Sequence, residues 1–568
     1  MKNKEIAEIF ENMADILEFN GDNPFRINSY RKAARVIRDL GSDIQSLVDG
    51  GNLKNFSGLG AGMADKINQY LSKGKIDKYE EIKKGIPKGL IPMLKIPGLG
   101  PKTAYLLYKE LNIGSIKELA DAIKKGKLRD LPGMGARKEE NILRGIRLLE
   151  ESGNRILLGD AIPLVERIMS VLKNKNVSLI SPAGSLRRMK ETVGDIDILA
   201  GAGSGAKIIN DFVSGPGIDE VLACGETKGS VIVAEGIQVD IRVVDEKSFG
   251  AALQYFTGSK DHNVHLREIA RKKGLKINEY GVFRGKKKIG GGKEDDIYKA
   301  LGCLWIPPVL REDRGEIEAA LQGKLPQLVA EKDIRADLHV HSKWSDGSAG
   351  IFDIARAAQK MGYSYIVITD HSQSLKIAGG LSIAELEDKI KEVKDVNRKL
   401  NNFTVLCGAE VDIKNDGSMD YPDRILSKLD VVLGAIHSGF KQDKNKITGR
   451  IISAVNNPHV DIIAHPTGRI IGIREPYEVD MEVILEEARK TGTALEINSY
   501  YQRLDLDDVW ARKAKQKGVK MAIGTDSHHL NQLWMMRLGV GVAGRAWLEK
   551  KDILNTLSVA GLIKYLTK

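Results

Sequence analysis

Seven short apolar runs in the C-terminal part of the chain each end in polar residues: ADLHVH, YIVITDH, TVLCGAE, VVLGAIH, DIIAHP, ALEINS and MAIGTDSH. Stretches with helical periodicity, such as IFDIARAAQKMG and DMEVILEEARKTG, separate them. Near-continuous apolar strands that alternate with amphipathic helices predict a βα repeat with parallel strands buried on both faces. The polar residues then collect at the C-terminal ends of the strands, where barrel enzymes keep their sites.

Histidine is concentrated there. Of ten histidines, seven (His339, His341, His371, His437, His465, His528 and His529) fall at these strand ends, with Asp346, Glu410 and Asp526 in similar places. Imidazole and carboxylate without thiolate suit Zn²⁺, Mn²⁺ or Fe²⁺. So many ligands exceed the needs of one ion, which predicts two to three.

A second chemical signal lies upstream, in GSLRRMKETVGDIDIL. The end of this stretch reads as a strand, yet Asp195 and Asp197 alternate, so both carboxylates point to one face. Like charges side by side on a sheet repel. Asp240 interrupts a further strand, IQVDIRVV. Three carboxylates from two strands suit two divalent ions, whose charge relieves the repulsion. Mg²⁺ is expected, or Mn²⁺, because carboxylate and phosphate oxygens are hard ligands. Gly184 and Ser185 offer a backbone N–H and a hydroxyl to a phosphate, and Arg187 and Arg188 follow.

The first part of the chain repeats a loop at residues 56–67, 96–107 and 131–143. Each copy places two glycines (Gly58 and Gly60, Gly98 and Gly100, Gly133 and Gly135) before a helix. The glycines bare the backbone, and the unpaired N–H groups of the helix start form an anion site. These loops resemble the helix-hairpin-helix motif, which grips DNA phosphates without reading sequence. Arg26 and Tyr30, in NPFRINSYRKAARVI, are read as part of the same phosphate-binding face.

At 568 residues the chain is too long for one core, and three or more domains are expected. No apolar stretch approaches the ~20 residues that span a bilayer. The N-terminus carries no signal-peptide pattern. Cys224, Cys303 and Cys407 lie far apart, as expected in a reducing cytoplasm. A net charge of +11 permits a polyanionic partner. A cytoplasmic protein with no membrane contact is expected, and nothing in the sequence demands more than a monomer.

On GSLRRMKETVGDIDIL, VDIRVV, SYRKAARVI, the first two glycine loops and YFTGSKDHNVHLREIARKKGLKINEYGVF, residues 1–316 resemble the family X DNA polymerases, of which DNA polymerase beta is the familiar member. The resemblance implies Asp195, Asp197 and Asp240 on two metal ions, with Asp240 accepting the primer hydroxyl proton. It implies Gly184, Ser185, Arg188 and Gly194 at the triphosphate, and Tyr255, Phe256 and Gly258 at the sugar. Asn263 would lie near the base and Arg267 near the template. It also implies a lyase lysine at Lys66, which would form a Schiff base with an abasic sugar. Here the sequence departs from the pattern: Gly62 stands where a lyase-competent relative has another lysine, and Arg26 replaces a lysine of the phosphate grip.

The C-terminal part resembles the PHP (polymerase and histidinol phosphatase) domain. Nine ligand positions carry over: His339, His341, Asp346, His371, Glu410, His437, His465, Asp526 and His528. His459 and His529 fall outside the pattern. Arg469 and Arg503 are read either as holding a substrate phosphate or as structural. The resemblance implies a phosphoesterase that trims 3′ ends, with 3′-phosphatase or abasic-site cleavage as further activities.

The expected fold is multidomain α/β. Residues 1–85 form a helical lyase-like DNA-binding domain and 86–152 fingers with two helix-hairpin-helix motifs. A nucleotidyltransferase-type α+β palm follows at 153–244, a nucleotide-selecting thumb at 245–315 and a linker at 316–334, since residues 311–333 are acidic, carry one Pro and lack a core pattern, as a connector would. A distorted (β/α)7 barrel occupies 335–568. Expected partners are gapped or primer–template DNA and deoxynucleoside triphosphates. The alternatives are a template-independent nucleotidyltransferase, a tethered small-molecule phosphatase, and a DNA-binding scaffold with idle sites.

Overall fold

Ile6, Phe10, Met13 and Leu17 recur at spacings of three and four, and they form the buried stripe of the Lys2–Phe19 helix. They pack on Ile27, Tyr30, Ala34 and Ile37 of the Pro24–Arg38 helix, which carries the matching stripe. The computed structural model describes residues 2–38, 44–49, 59–96, 99–129, 131–135, 138–143, 145–146, 155–173, 177, 179–233 and 236–567. The chain divides into two units, residues 1–153 with 472–474, and residues 154–471 with 475–568. The first unit is helical. A second core within it gathers Met93, Leu99, Leu107, Leu119, Met134 and Ile142 around the Pro101–Leu111 and Ile116–Lys124 helices.

The second unit opens with a five-stranded sheet in the order Leu179–Pro182, Asp195–Gly201, Gln238–Val244, Lys228–Val233, Ile218–Cys224. The pair carrying the aspartates is parallel, and Asp197 stands in register with Asp240. The alternation argued from sequence holds: Ile196 and Ile198 are buried on one face, while Asp195 and Asp197 share the other.

Beyond the sheet, the helices Phe249–Thr257, Lys260–Lys272 and Asp295–Leu301 enclose a separate core with a three-stranded antiparallel sheet. Residues 311–333, read from sequence as an acidic connector without a core pattern, differ from that reading. Arg311 and Glu316 are fully buried, and Ile317 and Ala320 complete the neighbouring core. The charges that made the segment look like a solvated linker are paired inside. Glu316 Oε1 lies 2.6 Å from His262 Nδ1, and Arg311 Nη1 donates to Glu294 Oε1 at 2.6 Å.

Glu294 also receives a bidentate pair from Arg187, at 2.7 and 3.0 Å, which ties the aspartate-bearing half of the sheet region to the helices that follow. Burial alone would raise the Glu294 carboxyl, but Arg187 and Arg311 pull it down to about 2. A carboxyl depressed on folding stabilises above its unfolded value, and that contribution is lost as pH falls from ~4.5 towards ~2. We expect Glu294→Gln to lose roughly 3 kcal/mol of stability at pH 7. The deficit should shrink as the pH is lowered through that window, which denaturant titrations of both proteins at pH 7 and pH 3 would measure.

All seven apolar runs become strands of one parallel sheet, ordered as in the sequence: Ala336–Val340, Tyr365–Ile368, Thr404–Asp412, Val431–Ala435, Ile462–Ile463, Ala494–Asn498 and Met521–Gly524. The first strand meets the last through Asp526 N–H to the His339 carbonyl and His341 N–H to the Ser527 carbonyl, both 2.9 Å, which closes the barrel on that side. Among the described residues, no helix is long and apolar enough to cross a membrane.

Candidate active sites

At the five-stranded sheet, Asp197 sits between its neighbours Asp195 and Asp240. Burial, then repulsion from those two carboxylates, raises the Asp197 carboxyl to about 6. Asp240 is pulled the other way: burial would raise it, but Ser230 Oγ at 2.6 Å, Gln238 Nε2 at 2.9 Å and Lys228 Nζ at 2.9 Å hold it below its ordinary value. A half-buried carboxylate kept near two others is the environment a cation relieves, so the donor set fits divalent ions.

The Gly184 turn is built against this cluster. Its φ is +59°, and a Cβ there would lie 2.5 Å from Asp197 Oδ2. Only glycine meets both demands, so the Gly184–Arg187 segment presses its backbone on Asp197. Arg188 follows, with Nη1 donating to the Thr257 carbonyl and Nε to Glu312 Oε1 at 3.1 Å. Gly258 (φ +69°) packs on the same guanidinium: a Cβ would lie 3.2 Å from Arg188 Nη1. Tyr255 and Phe256 meet edge to face at 5.2 Å, with Arg242 over Phe256 at 4.8 Å. Asn263 is fixed by Gln254 Nε2 on its oxygen and by donating to the Tyr255 carbonyl, both 2.7 Å. Arg267 Nε donates to the Asn263 carbonyl at 3.2 Å. A Cβ at Gly194 would meet Arg155 Nη1 at 2.9 Å. The structure thus collects Gly184, Arg188, Thr257 and Gly258 in one cluster and Tyr255, Gln254, Asn263 and Arg267 in another.

In the first unit, Gly60 and Gly100 precede the Ala61–Lys73 and Pro101–Leu111 helices in extended conformation, without a side-chain cap. Cβ atoms at Gly60, Gly100, Gly133 and Gly135 would meet nothing within 4 Å, so these loops are open, as an anion-binding helix start requires. Gly58 and Gly98 lie outside the described residues. Arg26 pairs with Asp22 at 3.0 Å on the surface. Tyr30 differs from its expected place on a phosphate-binding face. It is 2% exposed and edge-on to Phe10, because it belongs to the 3.6-period stripe that faces the core. Lys66 lies over its ring at 5.6 Å and donates to the Gly62 carbonyl at 2.9 Å.

The barrel holds the densest cluster. Three groups bring one ligand atom each within 4.8 Å of one another: His341, Asp346, His371 and His528; His339, His341 and Asp526; His371, Glu410 and His437. His465 joins through Nε2, 2.7 Å from Glu410 Oε1. All nine expected ligands therefore converge, while His459 lies in a turn elsewhere, its backbone N–H donating to Asn457 Oδ1 at 2.9 Å. His371 Nδ1 and Glu410 Oε2 approach to 2.9 Å, yet neither atom has hydrogen-bond geometry to any described residue. His341 Nδ1 and His465 Nδ1 are likewise buried without hydrogen bonds. Buried nitrogens and carboxylate oxygens aimed at common points, without hydrogen-bond geometry between them, fit bound cations of the imidazole-carboxylate class.

Electrostatics around the cluster is lopsided. Burial opposes the charge on His437 and His528, but Glu410 and Asp412, and Asp346 and Asp526, raise each of them to about 9. Burial and the neighbouring imidazoles of His528 and His371 depress His341 to about 4. His465 (φ +29°) and Asp526 (φ +54°) adopt backbone conformations that cost energy for non-glycine residues, a strain that clusters at functional sites.

Several orienting groups escaped the sequence reading. Glu496 accepts from His339 Nδ1 and from the His465 N–H, both 2.7 Å. Asp412 holds His437 Nδ1, and Asn498 Nδ2 donates to Asp526 Oδ2 at 3.1 Å. Such partners fix imidazole tautomer and aim. The signal that exposed Asp195 and Asp197 was present for Glu496 and Asn498 too: polar residues at alternate positions inside an apolar strand. Arg469 donates to the Arg503 and Leu504 carbonyls and to Glu191 Oε2, contacts that suit the structural one of its two expected roles. Arg503 points at the cluster, with Nε 3.6 Å from Asp526 Oδ2 and Nη1 buried without a hydrogen bond to any described residue.

Comparison with known proteins bears on both sites. Residues 1–76 match the helix-hairpin-helix domain, 90–148 the SAM-like helix-hairpin-helix tandem, 252–312 the DNA polymerase beta thumb and 337–500 the PHP domain. The chain is 39% identical over 577 aligned positions to the DNA polymerase/3'-5' exonuclease PolX of Bacillus subtilis (strain 168), covering 100% of both chains. It is 25% identical to DNA polymerase lambda of Rattus norvegicus over 55% of this chain and 56% of that one. It is 32% identical to a "probable phosphatase" of Thermoanaerobacter sp. (strain X514), over 39% of this chain and 89% of that one.

Proposed function

Because the chain belongs to family X of the DNA polymerases, in the form that carries a C-terminal PHP domain, we propose that it fills short gaps in DNA during repair and trims 3′ ends in its barrel. It is a DNA polymerase with 3′→5′ exonuclease activity, and its substrates are DNA and deoxynucleoside triphosphates. The observation that carries the polymerase reading is the register of Asp197 with Asp240, beneath a glycine turn that presses on Asp197.

At the palm, Asp195, Asp197 and Asp240 would hold two Mg²⁺ or Mn²⁺ ions. Bound there, divalent ions offset the charge that develops as a 3′ oxygen displaces pyrophosphate. The chain's own groups do the rest. The Gly184 backbone, the Ser185 hydroxyl and Arg188 bind the triphosphate beside Gly194. Asp240 takes the proton of the primer hydroxyl. Tyr255, Phe256 and Gly258 line the sugar, Asn263 faces the base edge, and Arg267 faces the template. The glycine loops grip backbone phosphates and so position the duplex without reading it. Lys66 is the candidate for a Schiff base with an abasic sugar. Its place above Tyr30, beside the Gly62 carbonyl, supports a fixed orientation.

At the barrel, the nine His, Asp and Glu ligands would hold two to three ions of Mn²⁺, Zn²⁺ or Fe²⁺. Arg503, part-buried beside Asp526 with a buried Nη1 that has no hydrogen bond to any described residue, would hold the phosphate being released. Carboxylate-only and histidine-rich donor sets differ in metal preference, so trimming should favour Mn²⁺ more than extension does. Removal of a 3′ phosphate or cleavage at an abasic site fits the same groups.

The test is template dependence. A primer on a one-nucleotide gap with a 5′-phosphate is offered each deoxynucleoside triphosphate alone, opposite each template base. Addition of the complementary nucleotide is expected. Addition regardless of template would mark a template-independent nucleotidyltransferase. The likeness of the barrel to a probable phosphatase supports a second reading, a small-molecule phosphomonoesterase. Turnover of histidinol phosphate without attack on DNA would favour it.

A further inference from the structure

Arg545 ends the Met536–Arg545 helix on the barrel and is only 5% exposed. Its Nη1 donates to the Arg188 carbonyl at 3.0 Å and to Glu312 Oε1 at 2.8 Å, and its Nη2 donates to Asp508 Oδ2 at 2.9 Å. The same Glu312 oxygen accepts from Arg188 Nε at 3.1 Å. Arg314 Nη1 shares the Asp508 oxygen at 2.9 Å. The side chains of Arg188, Glu312 and Arg545 are 13%, 14% and 4% exposed, so these pairs are shielded from water.

Sharing has an electrostatic consequence. A shielded carboxylate with one cation as its partner neutralises that cation, and a neutralised guanidinium is a poor ligand for an anion. Glu312 is instead divided between two arginines, so Arg188 keeps positive charge to offer. The bond to the Arg188 carbonyl also fixes the backbone from which that side chain extends.

We propose that Arg545, a residue of the barrel, is a positioning residue for nucleotide addition: by sharing Glu312 and holding the Arg188 backbone, it leaves part of the Arg188 charge uncompensated and the guanidinium aimed at the incoming triphosphate. This rests on the reading of Arg188 as a triphosphate ligand. The barrel is then part of the polymerase's nucleotide site as well as a second enzyme.

The experiment uses the full chain on a one-nucleotide gap, with the nucleotide concentration varied and 3′ trimming followed in parallel without nucleotides. Arg545→Gln should raise KM for the nucleotide about tenfold, the loss of one charge-assisted contact. Its kcat should stay within about twofold, with trimming unchanged. Arg545→Lys should recover most of the loss. The double variant Arg545→Gln/Glu312→Gln should return KM towards wild type, because no carboxylate remains to capture Arg188. That rescue distinguishes positioning from general damage to the fold. An unchanged KM in Arg545→Gln overturns the proposal, as does a double variant no better than the single, or a joint fall of kcat and trimming in both Arg545 variants. Arg188→Ala separates the premise from the inference. If it leaves KM unchanged, the triphosphate reading itself fails; if it raises KM while Arg545→Gln does not, only the coupling fails.

Discussion

Asp197→Asn is expected to stop primer extension while leaving 3′ trimming intact, and to make the metal-free protein more stable at pH 7. The two effects have one cause. The carboxylate is half-buried beside Asp195 and Asp240, and its pKa rises to about 6. A carboxyl raised on folding costs stability once both states are ionised. The cost grows as pH climbs from ~3.8 to ~6 and is complete above that, at roughly 3 kcal/mol. Asparagine removes that cost, so its advantage in melting temperature should be full at pH 7 and vanish near pH 4. It also removes a ligand from the cation site. Loss of even ~4 kcal/mol of charge stabilisation in the transition state slows extension about 10³-fold. Single-turnover extension and thermal melts in chelator, at pH 4 and pH 7, measure both halves.

Glu410→Gln is expected to do the reverse at the barrel: trimming lost, extension retained, and the metal-free protein destabilised. Burial works against the Glu410 charge, but the imidazoles of His437, His371 and His339 hold its carboxyl well below the usual range. Its oxygens lie 2.7 Å from His465 Nε2, 2.9 Å from His371 Nδ1 and 3.2 Å from His437 Nε2, so it is the common neighbour of three ligands. Breaking a buried charge cluster by neutralising one member costs about 3–5 kcal/mol. Trimming should fall by three or more orders of magnitude, since the substituted residue bridges ligand groups. Opposite signs in metal-free stability, with opposite losses of activity, would identify two sites assembled by different physics: carboxylates that repel and await cations, and a carboxylate held by surrounding imidazoles.

The barrel was legible because parallel strands buried on both faces read as continuous apolar runs, and each run became a strand in sequence order. Its ligands were legible because their side chains occupy strand ends, where a histidine contributes little to packing. The Asp195–Asp197 pair was legible because charge at alternate strand positions contradicts the strand around it. What stayed hidden depends on tertiary partners. Residues 311–333 look solvated until Arg311 meets Glu294 and Glu316 meets His262. Tyr30 looked like part of a basic face because Arg26, Arg31 and Lys32 surround it in sequence, yet the helical period turns it inward. Arg545 carries no sequence signal at all. Its role depends on Glu312 and Arg188, which lie more than 200 residues away.

The most direct test of two active sites on one chain is a single labelled primer on a one-nucleotide-gapped duplex, with Mn²⁺, with and without nucleotides. Wild type, Asp197→Asn, Glu410→Gln and the double variant are followed side by side. The account predicts extension lost only with the first change, trimming lost only with the second, and both lost in the double variant. Trimming that survives Glu410→Gln, or disappears with Asp197→Asn, would contradict it.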